Sequence, residues 1–258
     1  KSGQGVLDVS DIIWLDVDMM CGIEYEEFPA RIAEVAMWLI DHQMNMQISN
    51  EFGQYFARLP LKKSAKIVHG DALEVNWEEV VTKNQLSYII GNPPFIGSNI
   101  MSQFQRNQIV KEFENSQGSG VLDYVTGWYL KAAKYIQYTK IKVAFVSTNS
   151  IVQGEQTSLL WGQMINKYGI KIHFAHRTFK WSNEAKGNAA VYCVIVGFAN
   201  FDSNNKFIFE YEDIKGEALE IKAKNINAYL IDAKDVFITK RTNAICQVPK
   251  IKFGNQPI

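Results

Sequence analysis

The sequence predicts an α/β fold built on a doubly wound, mostly parallel sheet with an antiparallel strand. Three observations carry that expectation. Apolar runs of strand length recur along the chain, helical apolar patterns separate most of them, and the first three runs stop at an acid or a glycine. Parallel strands need a crossover between them and are covered on both faces, so they read as near-continuous apolar runs rather than as alternation.

The first strand is expected at Met19–Glu24. A helix follows over Phe28–Met46, with Phe28, Ile32, Val35, Ala36, Leu39 and Ile40 at helical spacing and Pro29 in its first turn. Lys66–His69 and Leu86–Gly91 are the next strands. Leu122–Tyr138 repeats the helical pattern through Val125, Trp128, Tyr129, Ala132, Ala133 and Ile136. Then come a strand at Lys142–Ser147, a helix over Gln156–Lys167, and strands at Ile170–Ala175 and Ala190–Phe198. Lys206–Lys224, with Ile-Lys-Gly-Glu at 214–217, alternates differently and reads as an antiparallel hairpin. Beyond Asn225 the pattern decays, and Pro249 and Pro257 mark a domain exit. The expected division is a core over residues 1–200 and a hairpin with the start of a linker over 201–258.

Composition narrows the function classes. The 258 residues are enough for a substantial core, and none of the apolar runs approaches the roughly 18 residues of a membrane helix. Cys21, Cys193 and Cys246 are isolated; Cys21 and Cys193 lie inside apolar runs, as small buried hydrophobes of a reduced, cytoplasmic protein do. His42, His69, His173 and His176 lack metal-ligand spacing. The 27 basic and 27 acidic residues cancel, whereas a self-sufficient DNA binder usually carries a basic excess. A DNA-directed activity would need a local patch or another domain for much of its grip.

The run ending at Ile90 stops on Gly-Asn-Pro-Pro-Phe, residues 91–95. Asn92 offers an amide oxygen that can accept from an amino group. Pro93 and Pro94 lack N–H groups and stiffen the backbone, so the Pro93 carbonyl is held beside it as a second acceptor. Phe95 offers a flat apolar surface to a planar ring. Together they form a claw for an exocyclic amine on an aromatic heterocycle. Asn-Pro alone is an ordinary turn, but this string ends an apolar strand, where open α/β sheets bind ligands.

Two acids precede it at similar places. Glu24, in Gly22-Ile23-Glu24-Tyr25, ends a strand and can accept both hydroxyls of a ribose; the alternative is an acid complementing the next helix's dipole, a place that Glu26 and Glu27 fill more closely. Asp71, in His69-Gly70-Asp71-Ala72, can accept from an adenine amine while the Ala72 N–H serves a ring nitrogen, or can simply shape a turn.

The order Gly-Ile-Glu-Tyr, His-Gly-Asp-Ala, Gly-Asn-Pro-Pro-Phe resembles motifs II, III and IV of the S-adenosylmethionine-dependent amino-methyltransferases. Leu122–Leu130 is similar to their motif V helix, Val143–Ser150 to motif VI, and His176–Asn188 to the motif VIII loop. The segments are most similar to the adenine-specific DNA methyltransferase domain of type IIG/IIL restriction–modification enzymes, over roughly residues 20–200. That resemblance implies a Rossmann-like class I fold with S-adenosyl-L-methionine as cofactor. It implies ribose and adenine contacts at Glu24, Tyr25, Asp71 and Ala72. Asn92, Pro93, Pro94 and Phe95 would hold the N6 amine and ring of a flipped adenine in double-stranded DNA. Phe179 or Trp181 would touch the same base, or be ordinary core or loop aromatics. Nuclease and target-recognition domains of the parent chain are the implied partners.

The family's first motif, a strand followed by an acidic, glycine-containing loop, is not found: Ser2-Gly3-Gln4-Gly5 lacks the strand and Val6-Leu7-Asp8 the glycines. In the family's sheet that strand is central, between those ending at Glu24 and Gly91. The expectation is therefore that this polypeptide alone binds the cofactor weakly and is inactive. Other outcomes stay open: methyl transfer to RNA adenine, cytosine N4 or protein glutamine, or a non-catalytic scaffold that retains the fold. Cytosine-N4 enzymes more often carry Ser or Asp at the Asn92 position, and glutamine-modifying ones Tyr at the Phe95 position.

Overall fold

The computed structural model describes residues 14–53, 64–181, 191–213 and 216–239. The chain divides into two compact units, Lys1–Ser87 and Tyr88–Ile258.

In the first unit β1 (Cys21–Glu24) lies parallel to β2 (Lys66–His69), in a register running from Cys21 opposite Lys66 to Glu24 opposite His69. Between them runs α1 (Glu27–Phe52), which ends on Gly53 with a left-handed φ of 64°, a conformation glycine takes without Cβ strain. The helix is longer than expected and turned the other way. Ala30, Asn45 and Ser49 are buried, while Phe28 is 75% exposed and Val35 and Leu39 are also exposed. Asn45 stays satisfied by donating to Asp41 (3.0 Å), and the Ser49 hydroxyl donates to the Asn45 carbonyl (2.8 Å). Helical spacing says which residues share a face, not which face is covered. The short α2 (Trp77–Val80) is capped by Asn76, whose side chain accepts from Glu78 N–H at 3.1 Å.

The second unit is a six-stranded sheet in the order β3-β4-β6-β5-β7-β8. Its strands are β3 (Tyr88–Gly91), β4 (Lys142–Thr148), β5 (Lys171–Trp181), β6 (Val191–Ala199), β7 (Lys206–Glu210) and β8 (Leu219–Ala223). β3, β4, β5 and β7 run one way; β6, between β4 and β5, and β8 run the other. The sheet is thus mixed, with two reversed strands where one was expected, because the 206–224 hairpin joins the sheet by pairing β7 with β5.

The crossovers follow from the sequence. α4 (Thr126–Tyr135) buries Tyr129, Leu130, Ala132 and Ala133 completely, and α5 (Gly154–Gly162) continues through a π-turn over Gln163–Lys167. The α-helix starts at Thr126, not Leu122; the four residues before it are irregular, and Tyr124 N–H among them donates to Ile96 O at 2.9 Å. One helix escaped the apolar pattern: α3 (Gln103–Glu112) is rich in polar residues. Its signal was the Ser102-x-x-Gln105 spacing, which forms a capping box with Gln105 N–H on Ser102 Oγ (3.2 Å) and Ser102 N–H on Gln105 Oε1 (3.0 Å). Among the described residues no helix is long and apolar enough to cross a membrane.

The core lies between the sheet and α4–α5. Tyr129 stacks on Phe198 (5.6 Å between centroids, 21°) and meets Phe145 and Trp161 edge-on at 5.3 and 5.8 Å. Its hydroxyl shares a hydrogen bond with Ser147 Oγ (3.1 Å). Burial raises the Tyr129 phenol well above its ordinary pKa.

The cysteines divide. Cys193 is buried in β6, and burial pushes its thiol up to about 11, whereas Cys21 is exposed, contrary to expectation, at the start of the two-stranded β1–β2 pair. Cys246 lies outside the described residues. Iodoacetamide at pH 8 is expected to alkylate Cys21 in the folded protein and Cys193 only in denaturant, as read by peptide mass mapping. Equal labelling of both thiols without denaturant would contradict this packing.

Candidate active site

Asn92–Phe95 leave the carboxyl end of β3. Register places Gly91 opposite Phe145 of β4, and a Cβ on Gly91 would lie 3.2 Å from the Phe145 ring. Phe145 is itself wedged against Tyr129 and Phe198, so the glycine lets the strand sit flat on the core. Beyond it Asn92 is exposed, Pro93 buried, Pro94 exposed and Phe95 half-buried. Among the described residues neither the Asn92 side chain nor the Pro93 carbonyl has a hydrogen-bond partner. Two acceptors beside a half-buried ring are therefore available to an incoming amine.

The chain after Phe95 is pinned tightly. Ile96 O accepts from Tyr124 N–H at 2.9 Å, and Ser98 N–H donates to Asp123 Oδ1 at 2.8 Å. Arg106 donates to Ser98 O (2.7 Å) and Gly120 O (2.8 Å), tying α3 to both segments. The other Asp123 oxygen accepts from Ser150 Oγ at 2.5 Å, just past β4, and Asp123 N–H donates to Gln156 Oε1 at 3.0 Å. Asp123 is 9% exposed, and its carboxylate is met by these donors. Sequence reasoning passed over Asp123, Ser98, Arg106 and Ser150 as site residues. Asp123 and Ser150 lie inside the segments that resemble motifs V and VI, but their partners lie far off along the chain, and neither was given a role of its own.

In the first unit Glu24 and Asp71 stand at the same end of neighbouring parallel strands, since Glu24 is opposite His69. Glu24 Oε1 accepts from Glu26 N–H at 3.3 Å, and Gly70 N–H donates to Glu24 O at 2.8 Å. Asp71 does shape a turn: Oδ1 accepts from Leu73 N–H at 2.8 Å, and its carbonyl accepts from Glu74 and Val75. Ala72 O accepts from the Trp77 indole at 2.9 Å, and Tyr25 is exposed. Two carboxylates at one end of a parallel pair are suited to hydroxyl and amine donors.

Phe179 and Trp181 were expected in a loop starting at His176, but β5 continues to Trp181; residues 182–190 lie outside the described residues. Their position relative to the claw follows from register. Gly91 is level with Phe145, Val196 and Ala175 across the sheet, and Phe179 with Cys193 and Thr148. Phe179 and Trp181 therefore stand beyond the level of Gly91, at the same end of the sheet, three strand spacings or about 14 Å to the side. Phe179 packs on Tyr211 (5.5 Å) and Trp181 (6.1 Å). His176 stacks on Phe209 at 4.3 Å and pairs with the Tyr211 hydroxyl at 2.8 Å, while burial holds its imidazole below the ordinary pKa. The structure thus gathers Phe179 and Trp181 into an aromatic wall rather than a loop.

Comparison with known proteins shows what the chain as a whole is similar to. The family described as "MmeI, DNA-methyltransferase domain" matches residues 6–210. DNA methyltransferase A of Bacillus subtilis (strain 168) is 40% identical over 240 residues, which are 92% of this chain and 26% of that protein. The type IIL restriction-modification enzyme MmeI, solved in complex with DNA, superimposes with a TM-score of 0.92 at 53% identity, over 100% of this chain and 34% of that one. The chain spans about a third or less of either relative.

Proposed function

The chain belongs to the family of MmeI DNA-methyltransferase domains, and on that premise we propose that it methylates the N6 amine of adenine in double-stranded DNA. The methyl donor would be S-adenosyl-L-methionine, in a Rossmann-like class I arrangement. The biological role would be host-protective modification in a restriction–modification system, in the cytoplasm, alongside nuclease and target-recognition domains. The observation that carries this reading is the exposed Asn92 amide beside the Pro93 carbonyl at the end of β3, both without a hydrogen-bond partner among the described residues.

The residues divide the task. Asn92 Oδ1 and the Pro93 carbonyl accept the two N6 hydrogens, Pro94 keeps the turn stiff, and Phe95 stacks on the base. Held by both hydrogens, the amine nitrogen loses conjugation with the ring and its lone pair projects outward. Positioning of this kind asks for no titrating base. The base must leave the duplex to reach the claw, and Phe179 or Trp181 offers it a second aromatic surface. Glu24 and Asp71 suit the ribose hydroxyls and adenine amine of the cofactor, with Tyr25 and the Ala72 N–H beside that adenine. When bound, the cofactor supplies an electrophilic methyl carbon.

The test is product identity. The intact protein, given methyl-tritiated S-adenosylmethionine and duplex DNA, is expected to place label in N6-methyldeoxyadenosine after digestion to nucleosides. Label in N4-methylcytosine, or in RNA or protein with DNA unlabelled, would overturn the proposal.

A further inference from the structure

We propose that Asp123 is a positioning residue that sets the shape of the Asn92–Phe95 claw; the inference rests on the methyl-transfer reading above. The claw is a short arch held at two ends. Its entering end is Gly91, fixed by pairing with Phe145 in β4. Its leaving end is the Ile96–Ser98 backbone, held by Tyr124 N–H on Ile96 O (2.9 Å) and by Asp123 Oδ1 under Ser98 N–H (2.8 Å).

The second oxygen of Asp123 accepts from Ser150 Oγ (2.5 Å), and Ser150 in turn shares a hydrogen bond with Thr148 Oγ1 (2.7 Å) at the last residue of β4. One carboxylate therefore joins the chain after the claw to the strand paired with the chain before it. Arg106 and Gln156 brace the same point through Ser98 O and Asp123 N–H. Asp123 itself is 9% exposed and accepts with both oxygens from within the protein, so its part is to hold the arch and not to meet the base. Few residues separate the two anchors, so a shift at Ser98 is carried into the Pro93 carbonyl and the Phe95 ring. A misplacement of about 1 Å at a reacting centre can cost on the order of 10²-fold in rate.

The experiment compares steady-state methylation of duplex DNA by the intact wild-type protein and by Asp123→Ala and Asp123→Asn. A duplex with 2-aminopurine at the target position reads base flipping separately. Asp123→Ala is expected to lower kcat by about tenfold or more. KM for DNA and for S-adenosylmethionine should stay within about threefold, and the 2-aminopurine signal should be retained, because the base still leaves the helix. Asparagine keeps an acceptor for Ser98 N–H and can donate to Ser150 Oγ, so Asp123→Asn should return kcat to within about threefold of wild type.

Wild-type kcat in Asp123→Ala, a KM rise that accounts for the whole loss, or an Asp123→Asn variant as slow as the alanine variant would overturn the inference. If Asp123→Ala does not accumulate as folded protein, Ser150→Ala decides. It cuts the tie to β4 at a half-buried position, and a folded variant with at least about a threefold lower kcat supports the proposal while unchanged kcat overturns it. Absence of N6-methyladenine from the wild-type reaction would instead overturn the methyl-transfer reading itself.

Discussion

Asn92→Ala is expected to lower methyl transfer by at least about 10²-fold in kcat, on the order of 3 kcal/mol of transition-state stabilisation. The reason is local. In the proposed chemistry the Asn92 amide is one of only two acceptors for the amine hydrogens, and it must already be aimed when the base arrives. DNA affinity should change little, because phosphate contacts dominate it. Stability should stay within about 0.5 kcal/mol, since Asn92 is exposed and its side chain has no partner among the described residues. Three measurements on one preparation check this: methyl-label incorporation, fluorescence anisotropy with duplex DNA, and thermal melting. Joint loss of methylation, DNA binding and melting temperature would mean that Asn92 holds the fold and that the claw reading is wrong.

Phe145→Ala carries the largest expected effect on stability, about 3–5 kcal/mol. Phe145 is 2% exposed, meets Tyr129 at 5.3 Å and Phe198 at 6.1 Å, and lies under Gly91. Truncation leaves a void bounded by rings that are themselves packed against Trp161 and the sheet, so collapse around it is limited. Against a typical stability of about 5–15 kcal/mol, that is a large fraction of the total. Urea denaturation followed by tryptophan fluorescence should show the midpoint falling steeply, and methylation should fall with it as the floor beneath Gly91 is lost. A stability change below about 1 kcal/mol would contradict the packing described for β3, β4 and α4.

Much of the fold was legible because the strands announce themselves locally. Lys66–His69 and Lys142–Ser147 are apolar runs bounded by polar residues or breakers, and they appear as strands with at most one residue of difference. α4 was legible because its buried residues recur at helical spacing. α3 was not, because its residues are mostly polar and its stability comes from its cap and from Arg106 reaching two backbone carbonyls. Cys21 and the apolar stripe of α1 misled for one common reason: apolar character marks what a residue prefers, while exposure depends on which other segment arrives to cover it.

For the candidate site the division is sharper. The sequence by itself placed Asn92–Phe95 at the end of a strand, Glu24 at the end of the first strand and Asp71 just past the second, because each is a short string whose backbone restrictions act within a few residues. Only the tertiary structure decided that Gly91 rests on Phe145, that Phe179 and Trp181 form a strand-borne wall at the same end of the sheet, and that Asp123 closes the arch through Ser98 and Ser150. Those relations join residues separated by whole helices. They are set by strand register and by the need to satisfy a buried carboxylate, and neither is written in the local sequence.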